Sequence, residues 1–321
     1  MLNLLNKIIK INNILPLIFS ALFIFGIYKI VNDFSLIFEN ISKVSFSVLF
    51  LASLIYFTSV ILRYIRWKII YSHLFSSYKF NMLNETIVGY MANNLLPFRI
   101  GELYRVNRII KKEKNKFFRV LSTIFTERLF DVISLVVILI IAFPFIEEFD
   151  LRLFQLQNTF LLILIILIVS ILFFLTLKRF KIFENLLKSL INLFNDLLAF
   201  FIECKSYKKY FAIFILSLSI WIIESFVYFI VADYFITNLS NFYLFSIILI
   251  VCSITNLSGI IPSLPGNIGN FEFFGTLAFL AMGISSSLGA TVIIIVHLVL
   301  FIPISILGFI ILSLEKISSK N

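Results

Sequence analysis

Leu96-Pro97-Phe98-Arg99-Ile100-Gly101-Glu102 and Leu264-Pro265-Gly266-Asn267-Ile268-Gly269-Asn270-Phe271-Glu272 carry one phrase twice. Both read L-P-x-x-I-G with a glutamate behind it. Both follow an apolar stretch ending in small or polar residues: Asn93 and Asn94 before the first copy, Ser258, Gly259 and Ser263 before the second. Proline brings no N–H to a helix and glycine raises the entropy cost of ordering one, so each phrase interrupts a helix. Interrupted helices at corresponding places in two halves of an apolar chain point to a transporter-type binding site. The expected fold is all-α, a polytopic membrane helix bundle with two short broken or re-entrant helices. The backbone breaks are expected at Pro97, Gly101, Pro265, Gly266 and Gly269.

Composition supports that reading. Of 321 residues, 61% are hydrophobic and 14% charged, against about 25% charged in an ordinary soluble domain. The length suits one membrane domain over 1–321 and leaves no room for a separate folded soluble one. A candidate internal repeat pairs 1–144 with 210–313, joined by a span and an amphipathic helix at 159–207. Cys204 and Cys252 have the spacing of neither a metal site nor a disulfide framework. Lys7 and Lys10 precede an apolar run with no small-x-small cleavage site, which is therefore read as a retained first span.

Seven stretches are long enough to cross about 30 Å of hydrocarbon: 14–31, 46–65, 120–144, 159–177, 210–234, 242–261 and 288–313. Two shorter pieces, 82–97 and 272–284, flank the repeated phrase. Basic runs on both sides of 82–97 make it a hairpin that dips and returns. Counting 272–284 as a crossing gives about eight; without it the C-terminus changes sides. Residues 99–119 hold eight basic and two acidic side chains, a formal +6, and 178–209 hold seven and three, a formal +4. These runs and the N-terminus are expected on the cytoplasmic side of a cell membrane, with the acidic 147–152 outside. Lying in short loops between apolar spans, the basic runs suit anionic lipid rather than nucleic acid. Over 180–207, Ile182, Leu186, Leu190, Ile191, Phe194, Leu197 and Leu198 recur at helical spacing, an amphipathic helix that lies on the interface or packs on loops.

Polar groups inside the spans need an explanation, because a charge at a helix centre costs roughly 2.5–3.5 kcal/mol on the insertion scale. Glu127, Arg128 and Asp131 sit in one span. Glu127 and Asp131 share a face and repel, so a cation is expected beside them, from Arg128 or from elsewhere. The group is either a buried ion-pair staple or part of a polar cavity. Arg63 and Arg66, beside Trp67, either snorkel to the interface or form a phosphate-binding pair. Arg99, Glu102 and Arg105 recur every three positions; Glu102 is expected to pair with Arg105 and leave Arg99 for a head group, with Gly101 letting the backbone approach the ligand. Glu224 and Glu272 are lone carboxylates that either meet an arginine or carry a coupling proton. His297 is expected to be hydrogen-bonded in the core, and Asn256 and Ser258 to satisfy backbone at the second break.

No catalytic constellation, metal site or cofactor motif stands out: there is no P-loop, no H-E-x-x-H and no nucleophile elbow.

Four motifs together, R-Y-I-R-W at 63–67, N-N-L-L-P-F-R-I-G-E-L-Y-R at 93–105, E-R-x-x-D at 127–131 and S-L-P-G-N-I-G-N-F-E at 263–272, resemble the membrane region of lysylphosphatidylglycerol synthases, a flippase-like integral membrane family. The resemblance spans nearly the whole chain. It implies a domain that moves a lipid between leaflets, and the aminoacyltransferase domain of the full synthases is expected to be missing, so synthase activity does not carry over. It implies a membrane phospholipid or a polyprenyl-phosphate lipid as ligand; the alternative is a membrane scaffold that docks a separately encoded glycosyltransferase or aminoacyltransferase through the basic runs at 99–119 and 178–209. The head-group site would comprise Arg63, Arg66, Asn93, Asn94, Arg99, Glu102, Arg105, Glu127, Arg128, Asp131 and Glu272.

Overall fold

The computed structural model describes residues 14–31, 33–96, 100–113, 117–146, 195, 201, 203–261 and 263–318. Among the described residues there is helix and no strand. The helices are α1 (Ile14–Ile30), α2 (Phe34–Lys43), α3 (Phe46–Leu74), α4 (Met82–Leu95), α5 (Gly101–Glu113), α6 (Phe117–Ala142), α7 (Tyr207–Phe235), α8 (Asn241–Ser258), α9 (Asn270–Ala281) and α10 (Ser286–Ser318). Five of them or their extensions are long and apolar enough to cross a membrane: Phe46–Leu74, Phe117–Phe145, Tyr207–Phe235, Asn241–Ser258 and Ser286–Ser318; α1 and α2, bent by 94°, make a sixth if taken together. The expected span 159–177 and the amphipathic helix lie outside the described residues, apart from helical positions at Asn195, Phe201 and Glu203. The count of about eight also relied on 272–284. That segment is α9, whose 12 residues rise only about 18 Å, short of a crossing.

Local chemistry sets the helix starts. The Asp33 carboxylate accepts from the N–H groups of Ser35 and Leu36 at the head of α2. Asn81 does the same for Leu83 and Asn84 at the head of α4, each satisfying amides that a helix start leaves open. At α9 the Glu272 carboxylate reaches back to the Gly269 N–H at 2.7 Å. Gly266, Asn267 and Gly269 take φ values of +69°, +61° and +89°, a left-handed backbone that glycine adopts without strain and asparagine tolerates.

Long-range pairs fix the packing. Gly101 lies against Asn93 and Gly89 against the Arg105 stem, while the Glu85 carboxylate takes Arg108 and Lys112 at 2.7 Å each. Helices α4 and α5 are therefore an antiparallel hairpin whose described tip residues are Leu96 and Ile100. The hairpin runs along α10: Glu315 meets Arg108 at 2.7 Å, Gly308 abuts Met91, and Asn94 donates to the Phe301 carbonyl at 3.1 Å. The expectation of a dip and return within 82–97 is corrected: α4 is a single arm of 14 residues, and the return is made by α5, inside the basic run 99–119.

Helices α8 and α9 form a second hairpin, with Asn270 donating to the Ser258 carbonyl at its tip. It approaches α10 from the other end: Gly289 abuts Phe279, Gly275 abuts Ile293, and Gly266 abuts Phe301. A long helix, a helical hairpin and a second long helix thus follow one another twice, in α3–α6 and α7–α10, although α8 is itself long enough to cross whereas α4, α5 and α9 are not; the two tips meet half-way along α10. Ser20 of α1 clamps the second tip, accepting from the Leu264 N–H and donating to the Ile268 carbonyl, both at 2.9 Å. Helices α3 and α7 pack along each other, and the core between the helices is apolar, built from Val60, Val227, Val231, Ile248, Val292 and Val296. The outer faces stay apolar too, with Phe50, Ile140, Phe211 and Ile306 exposed, as expected of helices that meet lipid.

Candidate functional site

Where the tips meet, a recess of about 380 Å³ opens, lined from both phrases and from α3, α6, α7 and α10. Its size is that of a small-ligand pocket. The first tip contributes Asn93, Asn94, Leu96 and Glu102; the second contributes Ser263, Leu264, Gly266 and Asn267. The walls carry Arg63, Arg128, Asp131, Glu224 and His297 among the aromatic rings of Tyr56, Tyr90, Trp221, Phe271 and Phe301.

The charges form two layers. In the wall, Arg63 meets Glu224 at 2.7 Å, donates to Ser59 Oγ at 2.8 Å, and lies 4.9 Å from the Trp221 ring centroid. Arg128 bridges Glu102 at 2.6 Å and Asp131 at 3.1 Å. The wall therefore holds Arg63 and Arg128 against Glu102, Asp131 and Glu224, a formal −1. Behind it, Arg66 donates to Asp131 at 2.6 Å and to Ser217 at 2.8 Å, and its other terminal nitrogen lies 3.8 Å from Glu127. Arg105 reaches Glu127 at 3.2 Å and lies flat on Trp67, 3.4 Å from the ring centroid. This inner layer, Arg66 and Arg105 against Glu127, is a formal +1, so the two layers cancel. A buried ion is tolerated when its partners and remaining hydrogen-bonding groups are satisfied together.

Several expectations need correction. Arg66, Arg105 and Glu127 do not reach the recess; they are locked behind its wall, where charges from four helices had to be matched. Glu102 pairs with Arg128 and not with Arg105, because Arg105 turns inward to Glu127 and Trp67. Gly101 does not bring backbone to a ligand. A Cβ there would run into the Asn93 backbone nitrogen and side chain, so its role is to close the first hairpin. Glu272 meets His297 Nδ1, while His297 Nε2 faces the Gly266 carbonyl at 2.8 Å; among the described residues neither group meets an arginine. Glu224 does meet one. At the second break backbone groups are satisfied from a distance by Asn270, Ser20 and His297; Asn256 bonds within α8 and to the Tyr228 hydroxyl, and Ser258 to the Thr255 carbonyl. Pro97 and Arg99 lie outside the described residues.

Trp221, Ser217 and Ser20 escaped the sequence reading. Trp221 donates to Asp131 at 3.0 Å. A signal was present: Ser217, Trp221 and Glu224 are spaced to share one helix face. Nothing local marks Ser20. Asn93 lines the recess, but its side-chain oxygen is buried against Gly101 and has no hydrogen-bond partner among the described residues.

Among the described residues no cluster of ligand side chains could hold a metal ion. Compared with curated proteins, the chain finds no match. The family model described as the lysylphosphatidylglycerol synthase TM region, by contrast, matches residues 13–308. With its helices, its two interrupted hairpins and that match across nearly its whole length, the chain belongs to the lysylphosphatidylglycerol synthase TM region family.

Proposed function

We propose that the recess receives the polar head group of a membrane lipid, a phospholipid or a polyprenyl-linked one, and that the protein carries it between leaflets. The observation that supports this most directly is the meeting of two interrupted hairpins at one charged, aromatic recess half-way along α10. Binding sites of transporters lie near mid-membrane at such discontinuities. Arg63 and Arg128 would take the phosphate, since a guanidinium can donate two parallel hydrogen bonds to it. Glu102 and Glu224, released in part from those arginines, would face any cationic group of the head.

The same end of the bundle holds Lys68, Lys112, Arg119, Lys208 and Lys209, while Asp33, Glu39, Lys43 and Asp233 lie at the other. That asymmetry supports placing the basic end, toward which the start of α1 points, in the cytoplasm of a cell with the protein in its plasma membrane.

The test is transfer of a fluorescent phosphatidylglycerol across proteoliposomes, read by quenching from outside. The variant Arg63→Gln/Glu224→Gln removes the wall pair without stranding a lone buried charge. It is expected to insert and melt like the wild type and to transfer the probe at least tenfold more slowly. Equal transfer by the two proteins would remove the recess from the pathway.

A further inference from the structure

The Glu272–His297 pair sits at the second tip, apart from the wall of arginines, and its hydrogen bonds fix how many protons it holds. A carbonyl oxygen only accepts, so His297 Nε2, 2.8 Å from Gly266 O, must carry a hydrogen. His297 Nδ1 contacts Glu272 Oε1, and two lone pairs would repel there, so a second hydrogen lies between them. Glu272 Oε2 is occupied as the acceptor of the Gly269 N–H. Imidazole and carboxylate together therefore hold one proton more than a neutral histidine beside a carboxylate.

Removing that proton breaks the arrangement whichever tautomer remains. If the hydrogen stays on Nε2, Nδ1 turns a lone pair to the carboxylate. If it moves to Nδ1, Nε2 turns a lone pair to Gly266 O. Gly266 lines the recess, and a Cβ placed on it would lie 3.3 Å from the Asn94 carbonyl oxygen of the first tip. The two contacts are polar ties between the second tip and α10, added to the packing of Gly266 on Phe301.

We infer that Glu272 and His297 form a one-proton binding site that pins the second tip to α10 and couples proton movement to passage of the head group. This rests on the head-group reading above. The ionisable groups facing the pair across the recess are Tyr56 and Arg63 on α3, Tyr90 on α4, Glu102 on α5, Arg128 and Asp131 on α6, and Glu224 on α7. Helix α1 presents Ser20, which does not titrate, to the tip. With the proton bound the wall is a formal −1; with it gone, −2. Proton and phosphate then favour each other's binding, and by linkage each raises the other's affinity by one factor. The proton comes from water on one side of the membrane and returns to water on the other.

Two readouts on the intact protein in lipid separate this inference from the head-group reading. The first is hydrogen–deuterium exchange of peptides covering 259–272 at pH 5.5 and 8.5, a range that brackets an ordinary histidine, corrected for the chemical exchange rate. Protection is expected to fall about tenfold at the higher pH in the wild type, the size of one lost charge-assisted hydrogen bond. It should be independent of pH in Glu272→Gln and in His297→Gln, and should fall as in the wild type in His73→Gln. Unchanged protection in the wild type overturns the proton site even if neither variant folds. The second readout is transfer of the fluorescent phosphatidylglycerol with and without a gradient of two pH units. A change of at least threefold in the wild type and none in Glu272→Gln supports coupling. Transfer that ignores the gradient overturns it. No transfer by the wild type, with exchange still responding to pH, rejects lipid movement and the coupling together and leaves the proton site standing.

Discussion

Arg66 on α3 reaches Asp131 on α6 at 2.6 Å, and neither side chain is more than 5% exposed. The same carboxylate also takes Arg128 and the Trp221 N–H. One side chain thereby ties α3, α6 and α7 together.

Asp131→Ala should be among the most damaging single changes in the protein. It leaves Arg66 buried with Ser217 and a distant Glu127, which costs about 3–5 kcal/mol when a buried pair loses one partner. Asp131→Asn keeps an oxygen for Trp221 and Arg66 and should cost clearly less. Thermal unfolding in detergent, followed by tryptophan emission, measures both. The chain has two tryptophans, Trp67 and Trp221, and both touch the network.

Gly101→Ala should loosen the first hairpin. Its methyl group meets the backbone nitrogen of Asn93, which cannot move without opening α4. The expected loss is about 2 kcal/mol, in the range for overpacking. Gly308→Ala first meets the Met91 Cβ at 2.5 Å, then Sδ and Cγ at 2.8 and 2.9 Å; none of these three is a backbone atom, so a small shift of α4 against α10 can take up the strain. Its unfolding temperature should fall less than that of Gly101→Ala; the reverse order would mean that the tight point of the hairpin has been misplaced.

At the basic end, Glu85 is fully buried beneath Arg108 and Lys112, while the Glu315 side chain is 34% exposed. Glu85→Gln should therefore destabilise the α4–α5 hairpin by roughly 2–4 kcal/mol, and Glu315→Gln by less than about 1 kcal/mol. Raising salt to 0.5 M should erase the effect at Glu315 and leave most of that at Glu85, since screening weakens exposed pairs first. Hydrogen exchange across 82–113 with and without salt reads both.

Much of this architecture could be read from residue order. The repeated phrase located both hairpin tips, because a proline and glycines in an apolar chain have few other uses. The basic flanks of 82–97 suggested a return within that piece, whereas the chain returns through α5, whose Arg105 and Arg108 find the buried acids Glu127 and Glu85. Partner choice was less legible. Helical spacing says that Arg66 and Glu127 lie in spans, and it cannot say which face turns inward once several helices compete for the same charges. So Glu102 was assigned to Arg105 by nearness in sequence, whereas the fold gives it to Arg128 and sends Arg105 to the face of Trp67. Serine and tryptophan partners were missed for a related reason: neither residue is costly in a span, so neither signals by its presence.

The cancelling layers of charge also bear on how the protein is made. The ribosome releases α3, with Arg63 and Arg66, well before α7, which brings Glu224 and Ser217. Through that interval Arg63 lacks Glu224, its ion-pair partner, and an unmatched arginine at a span's centre is disfavoured by about 2.5–3.5 kcal/mol on the insertion scale. Biogenesis must therefore hold the early helices at the insertion machinery, or let Arg63 reach the interface, until α7 arrives to neutralise them.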